Sequence, residues 1–235
     1  MRGDRVDGAT GPLASGHQGQ RANHGTGAVK RGLDLLVAVP AAIVSAPLVL
    51  AFCVLIRLES RGSPIFTQER AGLDGAPFAI FKLRTMVSGA EHIGAGLAVL
   101  QRDSRITRMG QFLRRTSLDE LPNLWNVVRG EMSIVGPRPT LVGQVELYTE
   151  RQRERLLVRP GISGWAQVNG RASLPWSERI ELDLWYVEHR SPWLDLKILM
   201  MTARMVLGGH GLYHAHESGG VDLGSSDADH GDADG

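Results

Sequence analysis

The longest pattern in the chain is apolar: from Leu33 to Ile56 the only charge is Asp34, and Lys30-Arg31 and Arg57 close the two ends. About 20 such residues suffice to cross the hydrocarbon of a bilayer. Pro40 and Pro47 interrupt the run, and the Ser45-Ala46-Pro47 step sits near its middle, so a sharp bend is expected there. Basic residues at both ends favour the same, cytoplasmic, side for each. A helix that enters the membrane, breaks at Ser45 and Pro47 and leaves by the face it entered satisfies both features. A buried core helix is the alternative.

After Pro64 the period changes. Ile65–Gln68 and Phe78–Phe81 read as two strands of a hairpin around Gly72-Leu-Asp-Gly75. Residues 87–104 are weakly helical, and Ile106 to Arg115 is amphipathic and basic. A charged helix is expected over 141–157, with most of its charges solvated, and an ordered Gly/Pro/Asn/Trp loop over 159–171. Two further helices follow, 176–189 and 193–207. The second mixes Trp, Leu, Met, Lys197 and Arg204 and suits either a membrane surface or a domain core. Residues 1–28 and the acidic stretch beyond His216 lack apolar periodicity and read as disordered. No cleavable apolar leader is evident in the former. The expected division is a tail over 1–28, a re-entrant membrane helix over 29–58, a main domain over 59–213 and an acidic tail over 214–235. The fold class is α+β, mostly helical, with one small β-hairpin.

Charge sharpens this picture. Overall the formal charge is +1, but residues 1–29 hold three arginines and two aspartates, and 217–235 hold six acids and no Lys or Arg. The body between them carries a net +6, which fits an anionic partner. No helix-turn-helix, zinc or aromatic-platform pattern supports nucleic acid as that partner. Cys53 is the single cysteine, so no intrachain disulfide forms. His210, His214 and His216 lack acidic or Cys companions at metal-ligand spacing.

The densest chemistry runs from Thr116 to Pro139. Asp119 and Glu120 are adjacent, Arg114 and Arg115 precede them, and the Gly136-Pro-Arg-Pro139 turn restricts the backbone around Arg138. Ser117-Leu-Asp-Glu120 also has the form of a capping box, and spacing leaves that structural role open. Lys82 and Arg84 fall on one strand face, either a solvated edge or a phosphate contact. Arg159 and Arg171 end a glycine-rich loop and can each fork onto phosphate oxygens.

In this order, Lys30-Arg-Gly-Leu-Asp34, the Pro47-broken helix, Phe66-Thr-Gln-Glu-Arg-Ala-Gly72, Phe81-Lys-Leu-Arg-Thr-Met86, Ile106-Thr-Arg-Met-Gly110, Arg114–Glu120, Val135-Gly-Pro-Arg-Pro139, Arg159–Arg171 and Glu181-Leu-Asp-Leu-Trp-Tyr186 resemble the small monotopic polyprenyl-phosphate phosphoglycosyl transferases. The match covers roughly residues 30–207. The resemblance implies transfer of sugar-1-phosphate from a UDP-sugar to polyprenyl (undecaprenyl) phosphate with release of UMP. That is the first step of exopolysaccharide or glycoconjugate assembly, at the cytoplasmic face of the inner membrane. It implies Asp119 as nucleophile and Mg²⁺ site, Glu120 as its assistant, and Arg114, Arg138, Arg159 and Arg171, with Lys82 and Arg84, as phosphate ligands. Membrane lipid is an implied partner, as are downstream glycosyltransferases. The family's larger members carry extra N-terminal spans, and this chain looks like a minimal version. The Ser173-Leu-Pro175 segment departs from the pattern, which leaves the donor sugar open. The alternative is a non-catalytic membrane-surface structural or partner-binding protein that keeps the fold.

Overall fold

The computed structural model describes residues 24–93, 103–170 and 174–208. It is an α+β fold, mostly helical: α1 (His24–Glu59), β1 (Ile65–Ala71), β2 (Pro77–Leu83), α2 (Arg108–Thr116), α3 (Asn123–Arg129), β3 (Ser133–Val135), α4 (Val142–Val145), α5 (Glu150–Arg153), β4 (Gly161–Ser163), α6 (Trp165–Asn169), α7 (Trp176–His189) and α8 (Pro192–Leu207).

The hairpin forms as expected, with β1 antiparallel to β2 and Gln68 opposite Ile80. A second pair was not anticipated: β3 lies parallel to β4, Ser133 opposite Gly161 and Val135 opposite Ser163. The stretch expected as a loop over 159–171 thus contains β4 and α6. At this junction Gly136 and Gly161 touch backbone to backbone. A Cβ on Gly136 would lie 2.4 Å from Arg159 O, and one on Gly161 would lie 2.1 Å from Gly136 N. No other residue fits either place. The helix expected over 141–157 is likewise divided. Thr149 starts a fresh helix, its amide bonded to Gln152 Oε1 at 3.0 Å, so α5 cannot continue α4.

Helix α1 begins at His24, so the tail expected over 1–28 is shorter at its C-terminal end; residues 1–23 and the tail from 214 lie outside the described residues. The break expected at Ser45 and Pro47 is not an interruption: the helix runs through both prolines. A proline removes one helix bond and crowds the turn before it, but tertiary contacts on either side carry the helix across. These contacts are distinctive. The N-terminal half buries Ala38 against Val127, Ile134 and Ile198, with Ala41 and Ala42 packed alongside. The C-terminal half buries Phe52 and Ile56 against Leu83 and Leu113. Between them Ile43, Val44, Leu48 and Leu50 are exposed. Both ends of α1 therefore rest on one folded body while much of its apolar middle stays exposed among the described residues.

Polar contacts fasten the first turns. Asp34, 3% exposed, accepts from Lys30 Nζ (3.1 Å), Ser133 Oγ (3.0 Å) and the Ile134 amide (3.1 Å). Lys30 also reaches Asp195 of α8 at 2.8 Å, and the Tyr186 hydroxyl donates to Asp195 at 2.7 Å. Arg31 donates to the carbonyls of Val127 and Val128 at the C-terminal end of α3. Helix α8 buries Ile198 in the core, as a core helix would, and leaves Trp193, Leu196, Met200 and Leu207 exposed.

Replacing Asp34 by Ala leaves three donors facing a cavity and is expected to destabilise the fold by about 2–4 kcal/mol. Leu36, 71% exposed, is expected to tolerate Ala with little change in detergent. Thermal melting of the two variants in the same detergent checks the contrast; equal melting temperatures would contradict the anchoring role of Asp34.

Candidate active site

The site is assembled around a strained corner. Thr107 caps α2, accepting from the Gly110 amide at 3.0 Å, and the helix delivers Arg114 to its last turn. Ser117 then ends α2 with φ 58°, a left-handed conformation uncommon outside glycine. Its side chain caps nothing in the following 3₁₀ turn, Leu118–Glu120, so the capping-box reading does not hold. The reversal at Ser117 turns Asp119 and Glu120 inward. Each is only 4% exposed. Pro122 then opens α3, where its missing N–H takes no bond from the helix.

Glu120 is held: Lys82 Nζ from β2 approaches its Oε1 at 2.8 Å, and Arg138 Nη2 from the Gly-Pro-Arg-Pro turn at 3.4 Å. Arg114 donates from Nε to Thr85 Oγ1 at 2.8 Å. Asp119 differs from its neighbour, because its buried Oδ1 has no hydrogen-bond partner. Burial, and then the charge of Glu120, push the Asp119 carboxyl up to about 7, against the opposing pull of Lys82, Arg114 and Arg138. A buried carboxylate with one unsatisfied oxygen and three cations in its field is equipped to meet an electrophile or cation that brings its own anionic oxygens.

Magnesium is one such cation. It typically takes one or two protein carboxylates and completes its shell with water and substrate phosphates. No group of three or more His, Cys, Asp or Glu is clustered for a metal among the described residues. The unsatisfied Asp119 oxygen fits an ion shared with a diphosphate and would not hold one tightly alone.

Lys82, Arg114 and Arg138 therefore converge on the acidic pair, and two other expected ligands do not. Arg84 lies beyond the end of β2, so the strand alternation that paired it with Lys82 no longer applies. Its guanidinium donates to Arg61 O, Ser60 O and Ser60 Oγ, each at 2.8 Å, closing the C-terminal end of α1. Arg159 donates to Gly130 O at 2.8 Å, just past α3. Helix ends hold unpaired carbonyls, and these compete for a guanidinium as a phosphate would. Arg171 and Ser173 lie outside the described residues, as do His210, His214 and His216.

Arg155 escaped notice, lost among charges expected to be solvated. It is 7% exposed and paired with Asp183 of α7. Its partner's place in the Glu181–Tyr186 motif was the available signal.

Residues 25–209 match the family described as bacterial sugar transferase. The "Uncharacterized sugar transferase EpsL" of Bacillus subtilis (strain 168) is 44% identical over 185 residues, 78% of this chain and 90% of that protein. The UDP-N-acetylgalactosamine-undecaprenyl-phosphate N-acetylgalactosaminephosphotransferase of Aeromonas hydrophila is 43% identical over 189 residues, 78% of this chain and 44% of that one. The UDP-glucose:undecaprenyl-phosphate glucose-1-phosphate transferase of Xanthomonas campestris pv. campestris is 44% identical over 183 residues, 74% of this chain and 38% of its own length. The chain thus spans less than half the length of the last two.

The Asp119 carboxyl also predicts a stability profile. Its folded value, about 7, lies above the ordinary carboxylate value of about 4 that the unfolded chain has. The folded state therefore holds the extra proton between them, and stability falls as pH rises through that window. Asp119→Asn removes the loss. It is expected to match the wild type near pH 4 and to exceed it above pH 7, by up to about 4 kcal/mol at about 1.4 kcal/mol per unit. Denaturation midpoints at pH 5 and pH 8 check the sign; a variant less stable at pH 8 would contradict it.

Proposed function

The chain belongs to the bacterial sugar transferase family, and we propose that it transfers sugar-1-phosphate from a UDP-sugar to polyprenyl phosphate, undecaprenyl phosphate by analogy with its named relatives. The observation that carries this reading is Asp119: buried, unsatisfied at Oδ1, and faced by Lys82, Arg114 and Arg138.

The ionised Asp119 attacks the sugar-side phosphorus of the donor. As that bond forms, the bond from the same phosphorus to the bridging diphosphate oxygen breaks and UMP leaves with the electron pair. An aspartyl sugar-phosphate remains. An oxygen of the lipid phosphate then attacks the same phosphorus and frees Asp119, giving a diphosphate-linked sugar. Arg114 and Arg138 offset the charge on the phosphate oxygens, the main demand of phosphoryl transfer. Glu120, oriented by Lys82, handles protons or orients the acceptor. Mg²⁺, held through Asp119 and the donor diphosphate, would supply further charge neutralisation. Asp119 serves only when deprotonated, so its raised value makes the nucleophile sensitive to pH near neutrality.

A membrane location suits this chemistry, because the acceptor is anchored in lipid and the donor is dissolved in water. An apolar helix of this length, with so little of it buried, associates with a membrane. With both ends of α1 packed on one body, its exposed middle enters the bilayer while neither end leaves the body's side. This supports a re-entrant helix, with the body on the cytoplasmic face of the inner membrane. The exposed Trp193, Leu196 and Met200 of α8 supply a second lipid contact. Downstream glycosyltransferases would extend the lipid-linked product.

Detergent-purified protein with Mg²⁺ and a panel of UDP-sugars is expected to release UMP continuously only when polyprenyl phosphate is present. Without the lipid, a burst near one equivalent is expected. Asp119→Asn is expected to lower turnover by at least about 10³-fold, and chelation of Mg²⁺ to abolish it. For the wild type, kcat/KM is expected to rise with pH to a midpoint near 7. Full activity in Asp119→Asn would remove the nucleophile assignment. No UMP release from any UDP-sugar would favour a non-catalytic member of the family.

A further inference from the structure

The turn that carries Arg138 has four successive carbonyls, of residues 137 to 140, engaged by donors. Pro137 O accepts from the Gly161 amide at 2.8 Å, Pro139 O from Arg70 Nη1 at 3.3 Å and Thr140 O from the Ala71 amide at 2.9 Å. The remaining carbonyl, of Arg138 itself, accepts from Arg155 Nη2 at 3.1 Å. Arg155 is in turn fixed on two sides, by Asp183 Oδ2 at 2.5 Å and by the Tyr148 hydroxyl at 2.7 Å. Asp183 is 4% and Tyr148 5% exposed. Burying an ion pair generally adds little stability over well-packed apolar residues, since desolvation offsets the attraction. What this pair provides is a rigid, charged donor at one backbone oxygen. A guanidinium held by two buried partners cannot drift, and neither can the carbonyl it holds.

We propose that Arg155, locked by Asp183 and Tyr148, is a positioning residue for Arg138, setting where the Arg138 guanidinium meets Glu120 and the phosphate bound at Asp119. The proposal rests on the sugar-phosphate transfer described above and deepens it. Arg155 itself lies behind the turn and touches no reacting atom. Its effect passes through Arg138, which gives it a signature that a merely structural residue lacks.

The test is a double-mutant cycle between Arg138→Ala and the neutralised pair Arg155→Met/Asp183→Asn, which leaves no buried charge unpaired. In the wild-type background the neutralised pair is expected to lower kcat for UMP formation about ten- to a hundred-fold, the range for a small misplacement of a catalytic group. The melting temperature and the donor KM are expected to change little. In the Arg138→Ala background the same pair is expected to cost no further kcat. Equal fold losses in both backgrounds, or unchanged kcat, would overturn the proposal. If the pair fails to fold, Tyr148→Phe, which frees one side of Arg155 and keeps the ion pair, takes its place in the cycle.

A second arm needs no turnover. The ¹H–¹⁵N signal of the Arg138 Nε–H, assigned by its loss in Arg138→Ala, reports where that guanidinium is held. The neutralised pair is expected to shift or broaden it, because the Arg138 carbonyl loses its donor. A signal that stays unchanged in the neutralised pair would overturn the positioning role. Absence of UMP release from the wild type would instead remove the transfer reading and leave this signal to decide.

Discussion

Two adjacent carboxylates taken out of water must be met by positive charge, and the arrangement of the rest of the domain follows from that demand. Desolvating an ion costs several kcal/mol unless partners are fixed close by. Asp119 and Glu120 obtain theirs from three separate places: Lys82 on a strand, Arg114 at a helix end and Arg138 in a turn. Each place is fixed by its own backbone contacts. The supply is unequal. Glu120 is directly paired, whereas Asp119 keeps an oxygen without a partner and sits near its ionisation point. The two acids are neighbours in sequence, set apart by which of them is bonded.

Helix α1 links this site to its surroundings. Its first turns grip the end of α3 through Arg31 and the start of β3 through Asp34. The two residues just past its end, Ser60 and Arg61, are held by Arg84, which follows β2. The helix with the exposed apolar middle is therefore also a wall of the domain that carries the acidic pair. A shift of α1 relative to the domain would be felt at α3, which begins directly after the acidic pair, and at β3, which leads into the Arg138 turn.

Much of this was legible in the residue order. The apolar run, the hairpin around Gly72–Gly75, the helices over 176–189 and 193–207 and the Asp119–Glu120 pair each announce themselves through local periodicity or local chemistry. Lys82, Arg114 and Arg138 were legible too, as cations in motifs near the acids. What was not legible had a common cause. Arg84 and Arg159 look no different in sequence from Arg114 and Arg138, yet each spends its guanidinium on the carbonyls of a helix end. Arg155 resembles the solvated charges around it and is buried.

Side-chain type and spacing by themselves determined the long apolar helix, the α+β character and the adjacent acidic pair, because each depends on neighbours within a few residues. Only the tertiary structure decided which arginines serve the acids and which serve the backbone. It alone placed both ends of α1 on one body, paired β3 with β4 and buried Arg155 against Asp183. Those outcomes depend on where distant carbonyls and carboxylates come to rest, and a guanidinium binds whichever unsatisfied oxygen the fold brings within reach.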